Sequence, residues 1–214
     1  QFVKAGAHRI VINVDANRDF AFLETAVKNS PVPIELIANP VCLYQCQYKH
    51  NHYAVAGHGS LSDGLNYGTP YNQFYLNWCF LQKMTNPGEF LRSPWLRPED
   101  LGLWKDAGIE FFKLAGRGQD EASLTALCKT YMSGKLHGNL LEVMGWPHWQ
   151  AFSKSSNGKI LPKLEISVNN DNLDGFLNYF SDNRPNCRLG CDKCGHCDRW
   201  AKKSVEYNDH ALFA

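Results

Sequence analysis

Four cysteines fall within eleven residues near the end of the chain, at Cys187, Cys191, Cys194 and Cys197. Such short spacers let neighbouring sulfurs converge on one metal ion or cluster, and Gly190 and Gly195 supply flexible turns between them. A second pair, Cys42 and Cys46, lies far upstream. Eight cysteines in total would allow four disulfides in a secreted protein. Disulfide-dense scaffolds, however, are short and loop-rich, whereas this chain of 214 residues alternates strands with helices. Ligation in a reducing compartment, the cytoplasm, is the reading that fits. The spacing suits an iron–sulfur cluster and a structural zinc with four thiolates equally. Cys79 and Cys128 read as buried hydrophobes, the usual fate of a free cysteine.

The chain is 44% apolar, enough to bury a core, and its net charge of +1 gives no global field for nucleic acid or an anionic membrane. No apolar run is long enough for a transmembrane helix. Residues Gln1 to His8 lack the apolar centre of a signal peptide. They read as the end of a helix running into a strand, as in a chain that begins partway through a protein.

Arg9 to Val14 is a β-branched apolar run and predicts a buried strand of a parallel sheet. Asn17 can cap the helix that follows, with Phe20, Leu23 and Val27 on its inner face. Ile34 to Ile37 predicts a second strand, and Asn39-Pro40 opens the loop that carries Cys42. Between residues 48 and 93 no regular period is sustained, which predicts a long insertion loop; Asn77 to Met84 is its one candidate helix or strand. Pro98, Glu99 and Asp100 suit the start of a helix ending near Gly108. Ile109 to Leu114 predicts a third strand, and residues 120 to 131 an amphipathic helix with Leu124, Leu127, Cys128 and Tyr131 inward. Further strands are expected at residues 140–144 and 163–168, an exposed loop at 153–159, and a last helix at 171–180. The predicted class is therefore α/β, a partial TIM-like (β/α) barrel over residues 1–180 that lacks enough strands to close, with a cysteine-rich tail over 181–214. An open half-barrel with an apolar edge is expected to pair with missing sequence or with another, related chain.

Several segments, taken in order, resemble the collagenase-like peptidases of family U-32. They are Arg9-Ile10-Val11-Ile12, Ile34-Glu35-Leu36-Ile37 followed by Cys42, and Asp106-Ala107-Gly108-Ile109 leading to Phe112-Lys113-Leu114-Ala115-Gly116-Arg117. The resemblance covers residues 1–132, and the terminal cysteines look like those of short relatives. It implies the second half of a TIM-like barrel. It also implies either peptidase activity or oxygen-independent hydroxylation of a small organic or RNA substrate, with a four-iron four-sulfur cluster on four cysteines. Cys42 with three of Cys187, Cys191, Cys194 and Cys197 is the ligand set it favours, with Cys46 as a replacement. Ala115 stands where the family has an acid, so any role of that carboxylate is lost here.

The catalytic candidates are His50 and His52 in the loop after Cys46, and Lys113 and Arg117 at the end of the third strand. Histidine there suits proton transfer or a second metal, and a glycine-flanked Arg117 suits a carboxylate or phosphate. Surface histidines and a barrel-closing salt bridge account for the same residues without catalysis. The spacing Cys42-x3-Cys46 fails as a radical-SAM motif because its third position is Lys49. No G-x-S-x-G, H-E-x-x-H or cysteine–histidine signature supports proteolysis. A non-catalytic module whose metal fastens the tail to the barrel is the third reading.

Overall fold

The computed structural model describes residues 2–61, 70–116, 118–147 and 165–208. Its centre is a parallel sheet ordered β1 (Ile10–Val11), β2 (Ile34–Ile37), β3 (Phe111–Lys113). Ile10 faces Ile34, and Glu35 faces Phe111. The alternation in β2 sets the two faces of this sheet. Ile34 and Leu36 are buried, while Glu35 accepts from Arg9 at 2.5 Å and the Arg9 guanidinium lies 3.8 Å above the Phe111 ring. The expected first strand shortens to two residues, with Val11 45% exposed and Val14 already in a 3-10 turn.

The crossover from β1 to β2 is helix α1 (Phe20–Asn29). Its cap is Asp19, which accepts from the Phe22 amide at 3.0 Å, and not Asn17. Asn17 is buried instead and donates to the carbonyls of Ile37 and Pro94 at 2.8 and 2.7 Å. Two Asx residues on either side of Arg18 compete for one cap, and tertiary partners claimed the first of them.

The described residues of the stretch read as an insertion loop are mostly helical: α2 (Lys49–Leu61), α3 (Pro70–Thr85) and α4 (Gly88–Arg92). Aromatic rings pack between α2 and α3, with Tyr48 at 4.9 Å from Trp78 and 5.6 Å from Tyr75. Rings that contact one another across a helix pair leave no clean apolar stripe on either helix, so the 3.6 period is weak. Helix α5 (Leu101–Asp106) carries Trp104, whose indole N–H donates to the Asn17 carbonyl at 2.6 Å.

In α6 (Glu121–Ser133), Leu127 is buried and the Tyr131 hydroxyl donates to Leu96 O at 2.8 Å, but Cys128 is exposed and belongs to no core. Residues 140–143, expected as a strand, form α7 (Leu140–Val143), capped by Asn139. A continuous buried apolar run has no period to decide between helix and strand. Strand β4 (Glu165–Val168) does form, but it pairs antiparallel with the terminal β5 (Val205–Asn208) and not with the parallel sheet. The expected loop at 153–159 lies outside the described residues. The expected helix at 171–180 divides into a 3-10 turn (Asn170–Leu173) and α8 (Asn178–Asn183). The tail then forms α9 (Cys191–Cys194) and α10 (His196–Ser204). No sheet among the described residues closes into a barrel.

The core gathers Trp95, Trp104, Phe90, Phe176, Leu36 and Ile109 between the sheet and these helices. Helix α10 lies against α4, and Gly88 is what permits it. A Cβ on Gly88 would stand 2.0 Å from Asp198 Oδ1.

Candidate metal centre

Three contacts fasten the tail to the body of the protein. Arg184 reaches both carboxylate oxygens of Glu24 on α1, at 2.9 and 2.7 Å. Arg92 on α4 donates from one terminal nitrogen to both oxygens of Asp198 on α10, at 2.7 and 2.6 Å, and holds Glu89 with the other. Strand β5 closes on β4. Between these anchors the chain turns through Gly195 at φ 60°, a conformation that any side chain would strain. The turn separates α9 from α10 and carries Cys194 and Cys197 on its two sides.

The outcome is that Cys187, Cys191, Cys194 and Cys197 all line one cavity of about 40 Å³, together with Arg92, Tyr179 and Phe180. Burial pushes the thiols of Cys187, Cys191 and Cys197 up, the last to about 12. At Cys191, the charge and hydrogen bond of Arg92 act against that rise. The Tyr179 hydroxyl and the Cys194 sulfur are 3.3 Å apart. His196, between two of the cysteines in sequence, lines the same cavity. Its ring stacks on Tyr179 at 4.0 Å, and Nε2 sits 3.0 Å from the Phe176 carbonyl, so that nitrogen carries the proton. Among the described residues, no three Cys, His, Asp or Glu side chains are already drawn around a single point as a bound ion requires.

Beside them lies the most unusual charge in the protein. Arg18 is 8% exposed, with its guanidinium 4.4 Å from the Trp95 ring centre. It donates to Leu91 O at 2.6 Å and Trp95 O at 3.0 Å. No carboxylate among the described residues pairs with it, and its Nε has no hydrogen-bond partner. Burial pushes its pKa down to about 10; ionised Cys197 and Cys187 would be its nearest opposing charges. A buried cation without an anion is costly, and the thiols are the groups able to supply one.

Arg18 lines a second cavity of about 40 Å³ that shares Cys187, Cys191 and Cys197 as a wall with the first. Its other side is made by Asp15, Asp19 and Tyr44, which follow β1 and β2 in the chain. Open parallel α/β sheets bind ligands outside the carboxyl ends of their strands, and these are the segments that leave those ends.

The upstream thiols stand elsewhere. Cys42 Sγ is 3.9 Å from the Tyr53 hydroxyl, and the charges nearest to it belong to Lys49, Lys83 and Cys46. Cys79 is close to both Cys42 and Cys46, and burial pushes its thiol up to about 11. None of these three lines the cavity of the terminal four. Of the catalytic candidates, His50 is exposed on α2, and His52 lies against Tyr75 at 5.6 Å in the aromatic group between α2 and α3. The Lys113 side chain is exposed at the end of β3, and Arg117 lies outside the described residues. Sequence reading missed Arg18, Tyr44 and Tyr179. It also missed Arg92, although Glu89 and Arg92 at i, i+3 are a legible ion pair.

Comparison with known proteins gives one distant likeness. A protein of Methanocaldococcus jannaschii named as an uncharacterized protease is 24% identical over 201 residues, 93% of this chain and 54% of the relative. The chain thus spans about half the length of the curated relative it matches. No protein-family profile matches the chain, and no solved structure matches it significantly.

Proposed function

We propose that the chain is an iron–sulfur protein of the U-32 peptidase type, and that Cys187, Cys191, Cys194 and Cys197 hold a four-iron four-sulfur cluster beside an organic or nucleic-acid substrate. The observation that carries this reading is the common cavity of the four thiols next to a buried arginine that lacks a carboxylate. Four cysteine sulfurs are the donor set that such a cluster takes. Four thiolates also suit a structural zinc ion, so the choice of the cluster rests on the resemblance to the U-32 peptidases. When bound, the cluster would supply one-electron transfer, with a potential set by nearby charge and hydrogen bonds.

The protein's own residues have definable parts in this. Arg18 offsets part of the negative charge of four thiolates. Tyr179 orients the Cys194 sulfur, and Phe176 and Phe180 keep water from that side. Cys42, in the set favoured by resemblance, is left out because it faces Tyr53 and groups with Cys46 and Cys79. In this reading the three-stranded sheet is part of a larger TIM-like barrel, and the redox chemistry is of the oxygen-independent hydroxylation type.

A second reading, a peptidase, is favoured by the name of the relative. The thiols offer it little. A nucleophilic cysteine needs a lowered pKa, and burial raises those of Cys42, Cys187, Cys191 and Cys197. Anaerobic purification with iron, sulfide and zinc analysis separates these readings. Near-equal iron and sulfide, about four of each per chain, is the expected result. Stoichiometric zinc with no iron overturns the cluster, and cleavage across a peptide library with neither metal present establishes the peptidase.

A further inference from the structure

Helix α3 is built the wrong way round for a helix on a surface. Its sequence holds one formal charge, Lys83, and that side chain is fully buried, donating to Ser93 Oγ at 2.6 Å and Glu89 O at 3.1 Å. Phe80, three residues earlier, shares the buried side. The opposite side carries Phe74, Trp78 and Leu81, which fall on one face at i, i+4 and i+7. Phe74 is 51% and Leu81 57% exposed, with Trp78 half-buried between them. Tyr48 packs edge-on against the Trp78 ring at 4.9 Å and the Phe74 ring at 5.7 Å, which holds both in place. The neighbouring α2 adds an exposed Tyr53, and its one lysine, Lys49, is buried in a pair with Asp15. A helix that is apolar on both sides is normally covered on both.

We propose that this outer face of α3 is where two copies of the chain associate, with the two α3 helices crossing antiparallel about a two-fold axis at Trp78. The order of the row points to a second copy. Phe74 and Leu81 lie about one helical turn to either side of Trp78, so an antiparallel mate brings Phe74 of each copy onto Leu81 of the other. Charge agrees. With both lysines buried, the exposed side of α2 and α3 has no lysine or arginine for a nucleic acid or an anionic lipid, and no carboxylate for a basic partner. An uncharged face is matched by another of its kind, and the cores of subunit interfaces are depleted of charge and enriched in Phe, Tyr and Trp. Rings already fixed by Tyr48 also lose little freedom on association. The pairing is independent of what the terminal cysteines hold.

The test is sedimentation equilibrium of the full chain in reducing buffer, which keeps the exposed Cys128 from cross-linking. The parent should form dimers at about 100 μM. Leu81→Glu and Phe74→Lys each put an unpaired charge into the interface and should each weaken dimerisation about a hundredfold. Mixed together, the two variants should pair with each other. One of the two symmetric contacts then joins the new carboxylate to the new ammonium, and the other keeps the native Phe74 and Leu81. That rescue separates a lost contact from a lost fold, because a misfolded variant does not recover on mixing. Met132→Glu, at an exposed position on α6, should dimerise as the parent does. A parent that stays monomeric at about 100 μM overturns the proposal, and its co-sedimentation with phosphatidylcholine vesicles would give the face to a lipid surface. Leu81→Glu dimerising as tightly as the parent overturns it too, as does Met132→Glu dissociating to the same extent as Leu81→Glu. A mixture that stays monomeric overturns the antiparallel crossing at Trp78.

Discussion

Gly88 and Asp198 approach so closely that a single methyl group on Gly88 would lie 2.0 Å from Asp198 Oδ1. That oxygen is not free to withdraw, because Arg92, four residues further along the same helix, holds both oxygens of the carboxylate. The contact seats α10, and with it Cys197, against α4.

Gly88→Ala should therefore destabilise the protein by about 1–3 kcal/mol, the usual cost of overpacking. Urea denaturation followed by circular dichroism measures it. Asp198→Ala in the Gly88→Ala background should recover part of the loss, since the crowded oxygen is then absent. A double variant no more stable than the single one would place the strain elsewhere.

Asn17 donates to two carbonyls that close different parts of the fold, Ile37 at the end of β2 and Pro94 after α4. Asn17→Ala leaves both buried acceptors without that donor and should cost about 2–4 kcal/mol. Asp19→Ala removes only a helix cap and should cost about 1 kcal/mol. If the two variants have equal midpoints, Asn17 is not the staple described.

The two thiol groups predict a division of labour. Cys194→Ser should lose most of the reconstituted iron and sulfide, whereas Cys42→Ser should retain the parent content. Reconstitution and metal analysis of the pair is enough. Loss in Cys42→Ser with retention in Cys187→Ser would return Cys42 to the ligand set.

Cys79 gives a pH dependence with a definite sign. Burial raises its pKa from 9.0 to about 11 in the folded protein. A raised pKa stabilises the fold fully below the unfolded value, and that contribution is lost as pH climbs through 9 toward 11. Lys83 acts the opposite way, because burial lowers its pKa and the fold gains as it deprotonates. The metal-free chain and Cys79→Ala should thus diverge in slope above pH 9, by about 1–3 kcal/mol at pH 11. Parallel stability curves across that range would refute the buried-thiol account.

Spacing and alternation carried part of this architecture in plain view. Ile34-Glu35-Leu36-Ile37 reads as a half-buried strand and is one. Cys187, Cys191, Cys194 and Cys197 are grouped in sequence, and the four line one cavity. Other features had no local signature. Asn17 and Asp19 are equivalent caps until a carbonyl from beyond residue 90 chooses between them. The apolar run at 140–143 fits a strand or a helix equally well. Arg18 is an ordinary arginine in sequence, and its burial is created by Trp95, Phe176 and Phe180 from distant segments. The grouping of Cys42 with Cys79 depends in the same way on how α3 packs.

The anchor between Glu24 and Arg184 joins residues 160 positions apart, which bears on the order in which the protein can be completed. A ribosome releases Arg18 and its neighbours long before it reaches the cysteines. Until then that guanidinium has no wall of sulfurs to meet and stays in water. Closing so long a loop is slow relative to forming local helices. The parallel sheet and α1 can settle during synthesis, before the cysteine segment is made. That guanidinium's burial therefore waits on the most distant contact in the chain.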